Sequence, residues 1–306
     1  MSALICGSLA FDTITTFPGR FADQILPDQV HILNVSFLVP TLRREWGGCA
    51  GNIAYNLQAL GGEPVLLAAL GVDGGEYQRR IEGWGRGDTS LIWRDPELHT
   101  AQCHITTDRD NNQITAFHPG AMSHAHKVSV PPRGRRGDLS IGIISPDGRD
   151  AMWLHANEMH EADIPFIFDP GQQLPQFDGE QHRAILAKAS WVTLNDYEAR
   201  MLEERTGESV AQMSRRPNLR GVVVTLAAEG CELWVKGERQ LVPGVKAAEV
   251  VDPTGCGDAF RAGMLYGLER GWDLPRCLAL SNRIGAIKIA SRGPQNHSLA
   301  GVLDAL

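Results

Sequence analysis

Apolar runs of strand length recur along the chain at 3–9, 64–70, 139–144, 164–168, 191–194 and 221–226. They show little apolar–polar alternation, so they read as strands buried on both faces. Helical patterns lie between them. Ile53, Leu57 and Leu60 share one face, and Gly61 follows as a C-cap. Further helices are expected over about 76–83, from near Asp147, Asp178 and Asp196, and over 257–271 and 274–290. Another strand is expected around 90–93, and 231–235 with 240–242 predicts a late antiparallel pair. This alternation predicts a mainly parallel sheet between helical layers, a three-layer α/β/α domain.

Two stretches depart from the pattern. Pro18, Gly19, Pro27 and Pro40 break residues 13–46, where Asn34-Val35-Ser36-Phe37-Leu38-Val39 reads as a strand. Residues 101–107 and 113–117 read as a hairpin around 108–112. Together they predict a small β-sheet lid, inserted discontinuously at about 13–46 and 98–121 into a single domain spanning 1–306. The apolar Phe37-Leu38-Val39 offers an edge on which a homodimer could pair.

The 306 residues are enough for one large α/β domain. A net charge of −7 argues against nucleic acid as a partner. The basic cluster Arg133-Gly134-Arg135-Arg136 lies among Pro and Gly and reads as a solvated loop. Six scattered cysteines without a Cys-x-x-Cys pair suit the reduced thiols of a cytoplasmic protein. No secretory leader or membrane-length apolar run is visible, so a membrane partner is not expected. His118, His124, His126, His155 and His160 lack the spacing of a metal site.

The densest chemistry lies in Asp252-Pro253-Thr254-Gly255-Cys256-Gly257-Asp258-Ala259-Phe260-Arg261-Ala262-Gly263. A Gly-rich turn opens a helix whose first N–H groups favour an anion. Asp258 just inside that helix reads either as an ordinary first-turn carboxylate or as a base beside a phosphate, the layout for phosphoryl transfer to an alcohol. A catalytic role for the Cys256 thiol is not expected, with no neighbouring group to activate it. A second stretch, Gly47-Gly48-Cys49-Ala50-Gly51-Asn52, starts the helix that ends at Gly61-Gly62. Asp12 follows the first strand, where open α/β sheets place ligand groups, and equally reads as a turn aspartate.

These two stretches, in this order, resemble the signatures of the ribokinase-like (PfkB) carbohydrate and nucleoside kinases. Ser36-Phe37-Leu38-Val39, Thr106-Thr107-Asp108, Phe117-His118-Pro119-Gly120, Asp169-Pro170-Gly171-Gln172-Gln173 and Asn195-Asp196-Tyr197-Glu198 extend the resemblance, most closely to bacterial adenosine kinases. It implies an ATP-dependent 5′-kinase for adenosine. Asp258 would be the base, and the backbone N–H groups of Gly255, Cys256 and Gly257 would stabilise the transferring phosphoryl. Asp12, Gly48 and Asn52 would hold the ribose, with Ser8 and Ser36 nearby. Phe117, Gln172 and Gln173 would meet the base. Asn195 and Glu198 would support Mg²⁺ through water, although Asn-x-x-Glu is also a capping box. Thr225, Gly230 and Asn282 would meet ATP. Asp252, Thr254, Ala290 and Gly293 fall where relatives bind a monovalent cation, often K⁺.

Three positions depart from the family pattern: Cys256 replaces the usual Ala, Ala227 a Gly of the nucleotide loop, and Gln102 an aromatic that stacks on adenine. A kinase for another nucleoside or for a free sugar such as ribose or fructose, and a catalytically silent binding protein on the same fold, are the competing readings.

Overall fold

The computed structural model describes residues 2–25, 32, 34–110, 112–132 and 139–305. The chain runs through β1 (Ser2–Cys6), β2 (Ala10–Thr16), β3 (Thr41–Gly47), α1 (Cys49–Ala59), β4 (Pro64–Leu70), α2 (Gly75–Gly83) and β5 (Asp88–Arg94). It continues through β6 (Ala101–Thr107), β7 (Gln113–His118), β8 (Leu139–Ile144), α3 (Arg149–Glu161), β9 (Phe166–Phe168), α4 (Gly179–Leu186), β10 (Trp191–Asn195) and α5 (Asp196–Thr206). The remaining elements are α6 (Val210–Met213), β11 (Gly221–Thr225), β12 (Gly230–Val235), β13 (Glu238–Pro243), α7 (Cys256–Glu269) and α8 (Leu274–Lys288).

Nine strands form the main sheet in the order β13-β12-β11-β10-β9-β8-β1-β4-β5. Pairing is parallel from β11 to β5 and antiparallel for β12 and β13. The strands separate two cores. Ala3 and Ile5 of β1 pack in one cluster with residues of α1, α7 and α8, whereas Leu4 and Cys6 pack in another with residues of α3, α4 and α5. Successive strand residues point to opposite faces, so a sheet covered twice needs apolar residues at both parities. All seven residues of β4 are accordingly buried.

The smaller sheet has the order β3-β2-β6-β7. β2 pairs antiparallel with β3 but parallel with β6, and β6–β7 is an antiparallel hairpin. This lid differs from the sequence expectation in two places. Its first strand starts at Ala10, and the strand expected at 34–39 is irregular, the pairing falling instead to Thr41–Gly47. β3 was hidden because Arg43, Arg44 and Glu45 interrupt its apolar pattern. Phe37 packs instead in an aromatic cluster with Phe17 and Phe21, at centroid distances of 5.0 Å to each. Leu38 is 85% exposed on irregular backbone, so the expected pairing edge is not a strand. The Arg133–Arg136 loop lies outside the described residues. Among the described residues, no helix is long and apolar enough to cross a membrane.

Candidate active site

The site forms where the C-terminal ends of the parallel strands meet the lid and the starts of α1 and α7. Gly48 caps α1 at φ 84°, and a Cβ there would lie 2.5–2.8 Å from the Ser8 carbonyl, the Ala10 nitrogen and Leu9 Cα. Only glycine allows the exit of β3 to cross the β1–β2 turn this closely. Ser8 secures the crossing. Its hydroxyl accepts from the Cys49 N–H at 3.0 Å, and its carbonyl from the Ala50 N–H at 3.0 Å. The oxygen expected beside ribose therefore already holds the helix start.

Gly255 caps α7 in the left-handed region, φ 79°, where a Cβ would lie 2.6 Å from Pro294. The Gly257 and Asp258 N–H groups then have no intrahelical partner, whereas the Cys256 N–H, expected to meet the phosphoryl, donates to the Pro253 carbonyl at 3.1 Å. Asp258 sits inside this first turn and accepts from Asn52 Nδ2 at 2.8 Å. The Asn52 carbonyl oxygen is in turn fixed by Gln295 Nε2 at 3.0 Å. Gln295 also donates to the Tyr77 hydroxyl at 2.7 Å, and that hydroxyl donates to the Gly47 carbonyl at 2.7 Å. One chain of hydrogen bonds, buried as far as Asn52, thus joins the end of β3 to Asp258.

The site is rich in carboxylates. Burial pushes Asp258 upward, opposed by the Arg261 guanidinium and by hydrogen bonds from Asn52 and Cys49. Asp12 is buried and pushed up to about 6, first by burial and then by the charges of Asp258, Glu45 and Asp252. Arg261 supplies the compensating charge. It lies one turn beyond Asp258, is 7% exposed, and binds Asp169 at the end of β9 through both Nη2 (2.6 Å) and Nε. Its Nη2 also lies 4.0 Å from Glu198. Burial raises Asp169, but a bidentate guanidinium in a dry site holds it ionised.

The lid register sorts the residues expected to face the base. Glu45, Asp12, Cys103 and Phe117 are cross-strand partners in one row. Partners in a row share a face, so Phe117, 49% exposed, stands on the Asp12 side. Gln102 belongs to the next row, with Phe11 and His118, and donates to Asp73 at 3.3 Å. The expectation that position 102 faces the base is therefore corrected: Cys103 holds the site-facing place, since one residue along a strand reverses the face. Gln172 reaches Cys49 Sγ at 3.9 Å, beside Asp258, and Gln173 follows on the same short turn. Ser36 lies exposed in the irregular stretch before β3.

Among the residues expected to meet ATP and Mg²⁺, Asn195 and Glu198 form a reciprocal capping box at the start of α5, with bonds of 2.7 and 2.8 Å. Thr225 pairs with Asn195 across β10–β11. Ala227 adopts φ 49°, the conformation its usual glycine would favour, and the loop closes by Leu226 N–H donating to the Gly230 carbonyl at 2.8 Å. Asn282 holds the end of β13 through the Val242 and Pro243 carbonyls, at 3.2 and 3.0 Å.

The four residues expected around a monovalent cation converge. Asp252 accepts from Thr254 N–H and Gly293 N–H, each at 2.9 Å, and Ala290 follows α8 in the facing turn. A fifth residue, unforeseen, enters between them. Lys288 Nζ donates to the Asp252 and Ser291 carbonyls at 2.7 and 3.0 Å. Arg261 was within sight of the sequence, one helical turn from Asp258. Gln295, Cys49 and Lys288 carried no signal, because only the tertiary fold brings them to the site. Among the described histidines, His124 contacts Asp95 at 2.6 Å and His155 the Val128 carbonyl at 2.8 Å.

The family model described as pfkB family carbohydrate kinase matches residues 20–300. The chain belongs to the PfkB family. It is a phosphotransferase with an alcohol acceptor. The nucleoside kinase of Burkholderia thailandensis, solved in complex with inosine, is 44% identical to this PfkB chain, with a TM-score of 0.86 over 98% of this chain and 95% of that one. The same kinase has been solved in complex with ADP-inosine, at 45% identity and TM-score 0.84, covering 98% and 93%. The nucleoside kinase of Methanocaldococcus jannaschii is 29% identical over 268 residues, 86% of this chain and 85% of that protein. Adenosine kinase from Sinorhizobium meliloti shares the fold, with 22% identity and TM-score 0.76 over 99% and 98%. The more similar relatives thus carry the broader name of nucleoside kinase.

Proposed function

We propose that this PfkB protein transfers the γ-phosphoryl of ATP to the 5′-hydroxyl of a purine nucleoside, adenosine and inosine both being substrates. The observation that carries the reading is the Asn52–Asp258 hydrogen bond at the head of α7, with Asp12 on the lid above it. Asp258 accepts the proton of the 5′-hydroxyl as the phosphorus–oxygen bond forms. Burial raises its pKa and so strengthens it as a base, while the Arg261 guanidinium opposes that rise. The unpaired N–H groups at the start of α7 stabilise charge on the transferring phosphoryl. Asp12 accepts hydrogen bonds from the ribose hydroxyls, and Phe117 covers the base.

Adenosine is the expectation from the sequence, and inosine enters through the 44%-identical relative. The side-chain amide of Gln172 suits both. It offers an oxygen and an NH₂, so one rotation changes an edge matching a 6-amino purine into one matching a 6-oxo purine. Glu198 and Asn195 supply carboxylate and amide oxygens at the half-buried edge of the nucleotide side, a donor set that fits Mg²⁺ held through water. When bound, Mg²⁺ would neutralise phosphate charge.

A substrate panel tests the reading. Adenosine and inosine should drive ADP formation with similar efficiency, and ribose and fructose should not. Turnover with a free sugar but with neither nucleoside would overturn it, and the sugar-kinase alternative would take its place.

A further inference from the structure

Lys288, the last residue of α8, is 0% exposed. A buried ammonium is costly unless its protons are met. Here two of them are met by carbonyls from separate segments: Asp252, before the α7 turn, and Ser291, after α8. The same two segments are stitched by Val251 N–H and Asp252 N–H donating to the Ile289 carbonyl, at 2.8 and 3.0 Å. The Asp252 carboxylate ties Thr254 and Gly293 from the other side. Burial lowers the Lys288 pKa, and the Asp252 charge opposes that shift.

Asp252, Thr254, Ala290 and Gly293, where the resemblance places a monovalent cation, offer one carboxylate and backbone carbonyls. The Asp252 carbonyl among them is already bonded to a positive charge. We infer that the Lys288 ammonium is a built-in monovalent cation, which organises the phosphate-binding turn so that the protein needs no K⁺. An ammonium carries the same single charge and directs its donors at fixed oxygens, at the cost of a tethering side chain. The carboxylate–lysine–carbonyl clamp would hold Gly255 and the head of α7 in place whether or not salt supplies a cation.

The inference rests on the nucleotide phosphates lying at the head of α7, so the test reads nucleotide binding directly. ADP affinity by calorimetry and melting temperature are compared in KCl and in tetramethylammonium chloride at equal ionic strength. For the unaltered protein the two affinities should agree within about twofold. Lys288→Met keeps the apolar stem and removes the charge. Its ADP affinity should fall by about tenfold in tetramethylammonium chloride and recover in KCl or ammonium chloride, with a matching rise in melting temperature. An unaltered protein that binds ADP more than about fivefold tighter in K⁺ would overturn the inference and leave the kinase reading intact. That comparison needs no variant, so it decides the matter even if Lys288→Met does not fold. A folded Lys288→Met with unaltered affinity in both salts would also overturn it. Failure of the unaltered protein to bind ADP in either salt would remove the site reading and this inference together.

Discussion

At the scale of single residues, chemistry and recognition are separable. Asp258→Asn keeps the shape and a hydrogen-bonding group but cannot take the proton. Its kcat should fall by about 10²–10⁴-fold, while nucleoside affinity measured by calorimetry changes little. Asp12 gives a pH signature. Its carboxylate is pushed up to about 6, so the charged form proposed to accept ribose hydroxyls is lost as pH falls through that value. KM for nucleoside should rise below about pH 6, and Asp12→Asn should abolish this inflection. The stability sign is opposite. A raised folded pKa means that the ionised group opposes folding above about 6, and that this penalty fades as pH falls towards the ordinary value of 3.8. Urea midpoints of the protein and of Asp12→Asn should converge over that window. Ala227 carries a third consequence. At φ 49° its Cβ costs about 1–2 kcal/mol, partly offset in any glycine variant by chain entropy of about 0.5–1 kcal/mol. Ala227→Gly should therefore raise the urea midpoint or leave it unchanged, whereas Ala→Gly elsewhere in an element lowers it.

At the scale of elements, the legible strands were those buried on both faces, because nothing but a covered sheet explains a run such as Pro64–Leu70. The lid was only half legible. One face of β3 carries charge, so its alternation is broken by Arg43 and Glu45; Arg43 lies 3.6 Å from Glu45 and 3.7 Å from Asp252. The apolar Phe37, by contrast, was a tertiary contact mistaken for a strand. Register was the other blind spot, since sequence alone cannot tell whether 102 or 103 faces Asp12. The row Glu45–Asp12–Cys103–Phe117 predicts that Phe117→Ala raises KM for nucleoside more than for ATP, whereas Gln102→Ala leaves both nearly unchanged. Equal effects from the two substitutions would show that the row is misassigned. Hydrogen exchange in β2, β3, β6 and β7 should slow when nucleoside is added, as the lid closes and excludes water.

At the scale of the whole molecule, Asp258 and its helix turn were legible because a Gly-rich turn and an acid lie within a few residues. Its supports were legible only in part: Asn52 and Arg261 stand within the two glycine-rich stretches, but Asp169 and Gln295 are distant in sequence and meet Arg261 and Asn52 only after the helices have packed. The sheet order contains a further consequence. β1, β4 and β5 stand together at one end, and β8 to β13 together at the other, so the parallel β1–β8 pairing is a seam between two consecutive stretches of chain. The first stretch carries the lid, Asp12 and Asn52, and the second carries Asp169, Asp258, Arg261 and Gln295. A gene cut between codons 131 and 132 would divide the protein along that seam outside every described strand. Neither half alone could phosphorylate, and two inactive alleles broken on opposite sides should rescue each other in one cell.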